Sequence, residues 1–163
     1  MARIFSPGPE TERAYRDALG CFATGVTVIT AATATGPIGM TANSFTSISL
    51  TPPLIAWSPS KSSQRFPFFA AARVFNIHVL GDWQKDLALD FARRADAFDR
   101  VAHEIGDGGL PLLTDCVSSF TCRQHAVHDG GDHVIVVGHV DTAIHRDGRP
   151  LIFSQGAFGG FSG

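Results

Sequence analysis

Short runs of β-branched and aromatic residues recur along the chain, each closed by turn residues, with few helical segments between them. Residues 26–34 (V-T-V-I-T-A-A-T-A) read as a strand, because β-branched side chains fit a pleated, half-buried surface. Gly36-Pro37 is a turn, and residues 38–42 return antiparallel to complete a hairpin. Residues 45–50 alternate as F-T-S-I-S-L, Pro52-Pro53 interrupts them, and residues 54–58 form another buried strand. Residues 74–80 (V-F-N-I-H-V-L) place Val74, Asn76, His78 and Leu80 on one face and Phe75, Ile77 and Val79 on the other. Residues 117–127 and 134–144 are two long strands about a Gly130-Gly131 hairpin turn, and residues 151–153 are a short last strand. No strand–helix–strand alternation is present, and no G-x-G-x-x-G follows a strand, which argues against a doubly wound dinucleotide fold. The expectation is a mainly β fold with peripheral helices, a closed or split barrel.

Helices are expected over residues 10–19, from Ser62 or Ser63 to about Ala72, and over residues 83–94. Pro67 is tolerable only in the first turn of the second, since it lacks the N–H that an interior turn needs. Leu87, Ala88, Phe91 and Ala95 form the buried stripe of the third. Residues 106–111 read as a turn-rich loop and residues 156–163 as a Gly-rich tail. Pro7, Gly8 and Pro9 mark residues 1–9 as a flexible arm, leaving residues 10–163 as one domain long enough to bury a core.

Composition narrows the class. A net charge of −2 gives no general attraction to nucleic acid or to an anionic membrane. No apolar run approaches the roughly 20 residues that span a bilayer, and the N-terminus lacks the apolar core of a signal peptide. Cys21, Cys116 and Cys122 are scattered and odd in number, fitting neither a disulfide framework nor a closed zinc site. A reducing, cytoplasmic setting is expected.

Chemistry concentrates in residues 39–63, G-M-T-A-N-S-F-T-S-I-S-L-T-P-P-L-I-A-W-S-P-S-K-S-S. Small polar groups at Thr41, Asn43, Ser44 and Ser58 suit hydrogen bonding to a neutral heterocycle. Lys61 among Ser60, Ser62 and Ser63 suits an anion, because an ammonium, hydroxyls and backbone N–H groups can converge on phosphate oxygens. A ring-binding segment followed by a phosphate-binding segment is the layout of a mononucleotide site, and a flavin is the expected occupant. The same hydroxyls also suit strand edges and helix caps.

Several motifs occur in a fixed order: F-A-T-G-V-T-V-I-T (residues 22–30), G-M-T-A-N-S-F (39–45), S-P-S-K-S-S (58–63), F-N-I-H-V-L (75–80), G-D-H (131–133) and G-R-P-L-I-F-S-Q-G-A-F (148–158). In that order they resemble the short-chain NAD(P)H:flavin oxidoreductases that serve two-component flavin monooxygenases. The resemblance implies an FMN-binding split β-barrel, a homodimer, FMN or FAD as cofactor, NADH or NADPH as co-substrate and a flavin-dependent monooxygenase as partner. It implies Thr41, Ala42, Asn43 and Ser44 along the ring and ribityl chain. Ser58, Lys61, Ser62 and Ser63 would surround the phosphate. Phe91 would border the sugar or adenine side, and His133 and Phe158 would flank nicotinamide, with His133 the catalytic candidate. The tail departs from the family, reading S-Q-G-A-F over residues 154–158 where relatives often carry a basic residue and a tyrosine.

Other chemistries leave weaker marks. His125, His128, His133, His139 and His145 lie on or beside one expected hairpin, but not at a zinc-type spacing, and alternation splits them between faces. No G-x-S-x-G turn is present for serine nucleophilic catalysis. Two further readings stay open on the same barrel: an electron-relay or sensor module without NAD(P)H turnover, and an oxidase of the pyridoxamine-phosphate type.

Overall fold

The computed structural model describes residues 2–161. Met1 of the expected arm and Ser162-Gly163 of the expected tail lie outside the described residues. The strands are β1 (Thr24–Gly25), β2 (Thr27–Thr33), β3 (Gly36–Ala42), β4 (Thr46–Leu50), β5 (Pro53–Trp57), β6 (Val74–Val79), β7 (His103–Ile105), β8 (Pro111–Leu113), β9 (Ser118–Gly130), β10 (His133–His145), β11 (Leu151–Ser154) and β12 (Ala157–Gly160). The α-helices are α1 (Glu12–Gly20), α2 (Phe66–Ala71) and α3 (Lys85–Arg93).

Seven strands form one antiparallel sheet in the order β3-β2-β6-β9-β10-β5-β4. Its two outer strands, β3 and β4, are consecutive in the chain but not paired with each other, so the barrel is split there and residues 43–45 cross the gap. β1, β11 and β12 form a second small sheet, and β7 and β8 a third.

Both faces of the central strands are covered, which is why β2 is buried over most of its length rather than alternately. Ile29, Trp57, Phe75, Ile77 and Val136 pack in one cluster with Phe69 of α2. Val28, Leu80, Phe91, Phe98 and Leu113 pack in the other. Each fully buried side chain of this size contributes roughly 1.5–3 kcal/mol of transfer free energy. Helix α3 lies close on β3: a Cβ at Gly39 would stand 2.4 Å from the Phe91 ring, so only glycine admits the contact.

The structure departs from the sequence expectations at weak elements. The expected 106–111 loop contains the start of β8 and, with β7, belongs to a small hairpin. That hairpin is docked by buried polar groups of β2 and β6: Thr30 Oγ1 and Asn76 Nδ2 both donate to the Pro111 carbonyl, at 2.6 and 2.8 Å. His78 completes the dock. Its Nε2 accepts the Leu113 N–H at 3.0 Å, so Nδ1 carries the proton and donates to the Val28 carbonyl, also at 3.0 Å. Burial lowers the His78 pKa to about 4, with the Val28 bond opposing the shift. The Gly-rich tail contains β12, paired with β11. α2 starts at Phe66, not at Ser62 or Ser63, with Pro67 in its first turn. No residue of α1 is buried: of the apolar stripe expected there, Ala14 is half-buried and Ala18, Leu19 and Phe22 are exposed.

Candidate active site

A cleft of about 480 Å³ opens at the split of the barrel. One wall is Met40–Ala42 at the end of β3, continued by Asn43 and Ser44 in the crossing link. The opposite wall is the loop between β5 and α2, from Ser58 to Ser60 and from Ser63 to Arg65. Ala92 of α3 and His133 at the start of β10 complete it.

The hydroxyls of this cleft hold the backbone in place as well as lining it. Ser44 Oγ accepts the Ser58 N–H at 2.9 Å and donates to the Ser58 carbonyl at 3.3 Å, tying the two walls together. Thr41 Oγ1 donates to the Ala88 carbonyl of α3 at 2.5 Å, leaving its oxygen as an acceptor. Ser63 Oγ accepts the Arg65 N–H at 3.2 Å.

Arg65 is the cation of the cleft. Its Nη1 donates to the carbonyls of Gly39, at 3.2 Å, and of Phe91, and Nη2 donates to the Ala92 carbonyl at 3.3 Å. It thereby neutralises the carbonyl end of α3, where a positive charge is favoured by the helix dipole. Of the five N–H donors of a guanidinium, Nε–H and one Nη2–H stay uncommitted by these bonds. Partial burial lowers its pKa, with Asp96 pulling the other way, and a guanidinium stays charged through such a shift.

His133 is half-buried on the cleft wall. Its Nδ1 donates to Asp132 Oδ1 at 2.8 Å, since a carboxylate can only accept, and Nε2 is left free of that bond. The same contact holds the Asp132 carboxyl below its usual range.

Seven of the eleven residues expected at the site therefore line one cleft: Thr41, Ala42, Asn43, Ser44, Ser58, Ser63 and His133. Phe158 lies apart, packed on Phe153 at 5.1 Å between ring centroids. Those two rings line a neighbouring cavity of about 180 Å³, which shares Thr41, Ala42 and Asn43 as its wall with the cleft. Phe91 is a correction: its ring is fully buried among Gly39, Phe98 and the α3 core, so only its carbonyl approaches the site, through Arg65. Ser62 is exposed outside the cleft, with its hydroxyl 2.9 Å from that of Ser60. Lys61 is also turned out, because its ammonium pairs with Asp129 and donates to the Gly131 carbonyl at 2.6 Å. Sequence reasoning missed Arg65, and Pro67 was the available signal. A proline confined to the first turn starts α2 at Phe66 and leaves Arg65 in the loop beside the serines.

Among the described residues no three acidic, histidine or cysteine side chains cluster as a metal site. No described helix is long and apolar enough to cross a membrane.

Comparison with known proteins agrees with this architecture. The family model described as a flavin reductase like domain matches residues 19–162. The chain is 55% identical over 159 residues to an FMN reductase (NADH), SmoA, of Agrobacterium fabrum, covering 98% of this chain and 91% of the relative. It is 35% identical over 150 residues to the reductase subunit HsaB of a flavin-dependent monooxygenase of Rhodococcus jostii, covering 91% of this chain and 77% of that one. The solved structure of the NADH:FAD oxidoreductase SgcE6 of Streptomyces globisporus superposes with a TM-score of 0.90 at 36% identity, over 98% of each chain. The same protein in complex with NAD and FAD fragments superposes at 0.89. The chain thus belongs to the flavin reductase like family and has its split-barrel fold.

Proposed function

We propose that this protein is an NAD(P)H:flavin oxidoreductase that binds FMN or FAD in the cleft at the barrel split. In this reading it reduces the flavin with NADH or NADPH and supplies it to a partner monooxygenase. The observation that carries the reading is the cleft itself. Its volume lies within the range of roughly 300–1,000 Å³ that small-molecule sites occupy. It combines a short-side-chain wall at Thr41–Ser44, a serine-rich wall at Ser58–Ser63 and the single guanidinium of Arg65.

When bound, the flavin supplies a hydride acceptor at its N5 and carries the redox chemistry. The chain's own residues orient and enclose. Ala42 presents only a methyl group beside a planar ring, while Asn43 and the backbone of Thr41 to Ser44 would present donors and acceptors to its edge. Ser58, Ser60 and Ser63 hydrogen-bond the polyol and phosphate, with Arg65 as their counter-charge. His133, oriented by Asp132, directs its free Nε2 to the nicotinamide amide. Hydride transfer needs no strong acid or base, only two rings held at the right distance, which fits a cleft of neutral polar groups with one guanidinium and one imidazole. The relatives named as NADH-dependent FMN and FAD reductases and as a monooxygenase subunit support the same reaction here.

The protein works as a homodimer in the cytoplasm. Tyr15 and Leu19 of α1 are exposed, as are Ile48 and Leu50 on edge strand β4, and a second copy would cover such surfaces. All three cysteines are free, as a reducing compartment keeps them.

The test is a fluorescence titration with FMN, FAD and riboflavin. FMN is expected to bind at least about 10-fold more tightly than riboflavin, as a charge-assisted phosphate contact implies. Equal affinity for the two would remove the phosphate subsite from the account.

A further inference from the structure

We propose that Lys61 is a positioning residue for His133: it clamps the tip of the β9–β10 hairpin onto the Ser58–Ser63 loop and so fixes the imidazole on the cleft wall. The proposal rests on the flavin reductase reading, in which His133 meets nicotinamide.

The hairpin tip has little else to hold it. Strand β5 pairs β10 only from Val136 to His139, and β6 pairs β9 only as far as Arg123. Beyond those points the strands pair chiefly with each other, down to His133 opposite Gly130. An isolated two-stranded ribbon is marginal in water and free to sway. Gly131, with φ +77°, closes the turn in a conformation that other residues rarely adopt.

Among the described residues four hydrogen bonds and ion pairs tether this tip to the Ser58–Ser63 loop, and Lys61 makes three of them. Its backbone N–H donates to the Asp132 carbonyl at 2.9 Å, and its ammonium bonds the Gly131 carbonyl at 2.6 Å and pairs with Asp129. The fourth is the Val134 N–H to the Pro59 carbonyl at 3.2 Å. The ammonium thus bridges both sides of the turn that carries His133, and its bond holds the Asp129 carboxyl below the usual carboxylate range. These contacts also engage the lysine away from the cleft, where Arg65 takes the role of anion partner.

The partners are partly exposed, at 38% for the Lys61 side chain and 79% for Asp129, so their removal should move the tip without unfolding the barrel. The experiment is a double-mutant cycle of Lys61→Ala and Asp129→Asn in the full chain, with Lys61→Arg as the conservative variant. Each single change is expected to raise the KM for NADH by about 2- to 5-fold. The double should be no worse than the worse single, because both remove one clamp. Lys61→Arg should restore the parent KM, and the FMN-to-riboflavin affinity ratio should hold throughout. Amide exchange over residues 129–133 should quicken in both singles. Additive effects, an unchanged KM, or a selective loss of FMN against riboflavin in Lys61→Ala would each overturn the clamp. If His133→Ala leaves NADH kinetics unchanged, the reading of His133 fails instead. Amide exchange at the tip then still decides whether Lys61 clamps it, and unaltered exchange overturns the proposal.

Discussion

At the scale of single residues, the site depends on which cation faces the ligand. Two compete within five positions, and the more obvious one, Lys61 among serines, is held by an aspartate 68 residues away in sequence. Arg65 is held by three carbonyls, which accept hydrogen bonds without cancelling its charge, so its positive field reaches the cleft. Arg65→Ala should weaken FMN binding by roughly 1.5–3 kcal/mol, about 10-fold or more, and riboflavin binding far less. Equal losses in paired titrations would show that Arg65 shapes the loop rather than meeting phosphate. His133→Ala should slow flavin reduction or raise the KM for NADH by about 10-fold, equivalent to roughly 1.4 kcal/mol, with flavin affinity little changed. Anaerobic stopped-flow traces that superpose on the parent at every NADH concentration would reduce His133 to a turn residue.

At the scale of elements, the β7–β8 hairpin is held to the sheet by Thr30, Asn76 and His78 rather than by strand pairing with the barrel. His78 makes this dock sensitive to pH. Its folded pKa of about 4 lies below the ordinary value of 6.5, so between those limits the unfolded chain binds the extra proton. The stabilisation is complete above pH 6.5 and lost as the pH falls toward 4. Chemical denaturation should therefore give a stability lower by about 2 kcal/mol at pH 5 than at pH 7, an amount set by the proton-linkage relation. A midpoint that does not move between those pH values would contradict a neutral, bridging His78.

The strands with strong periodicity were legible in the sequence. β2 and β10 carry β-branched runs, β3 and β9 adjoin the turn glycines Gly36 and Gly130-Gly131, and the alternation of residues 74–80 put Asn76 and His78 on the face they occupy. The three-residue strands β7 and β8 were not legible, because their existence depends on side chains of β2 and β6 far away in the chain. The same limit governed the site. Ser44 and Ser58 meet because they flank the local β4–β5 hairpin, 14 residues apart, whereas the orientation of Lys61 depends on the distant hairpin tip. For Phe91 the helical stripe, which buries its ring, was the better guide than the resemblance, which placed it beside the ligand.

At the scale of the whole molecule, the split between β3 and β4 is both the weak edge of the sheet and the position of the cleft. No residue of α1 is buried, and Leu50 at the β4 edge is 93% exposed. Sedimentation at micromolar concentration should therefore find a dimer, and a monomer that still turns over NADH would remove the second copy from the account. The central claim is that this cleft brings nicotinamide and flavin together. Its most direct test is anaerobic mixing of the FMN-loaded protein with NADH while the flavin absorbance is followed. The account predicts bleaching whose rate saturates with NADH and far exceeds that of free FMN. Flavin that binds but bleaches no faster than in the absence of protein would leave a flavin-binding module and contradict the reductase.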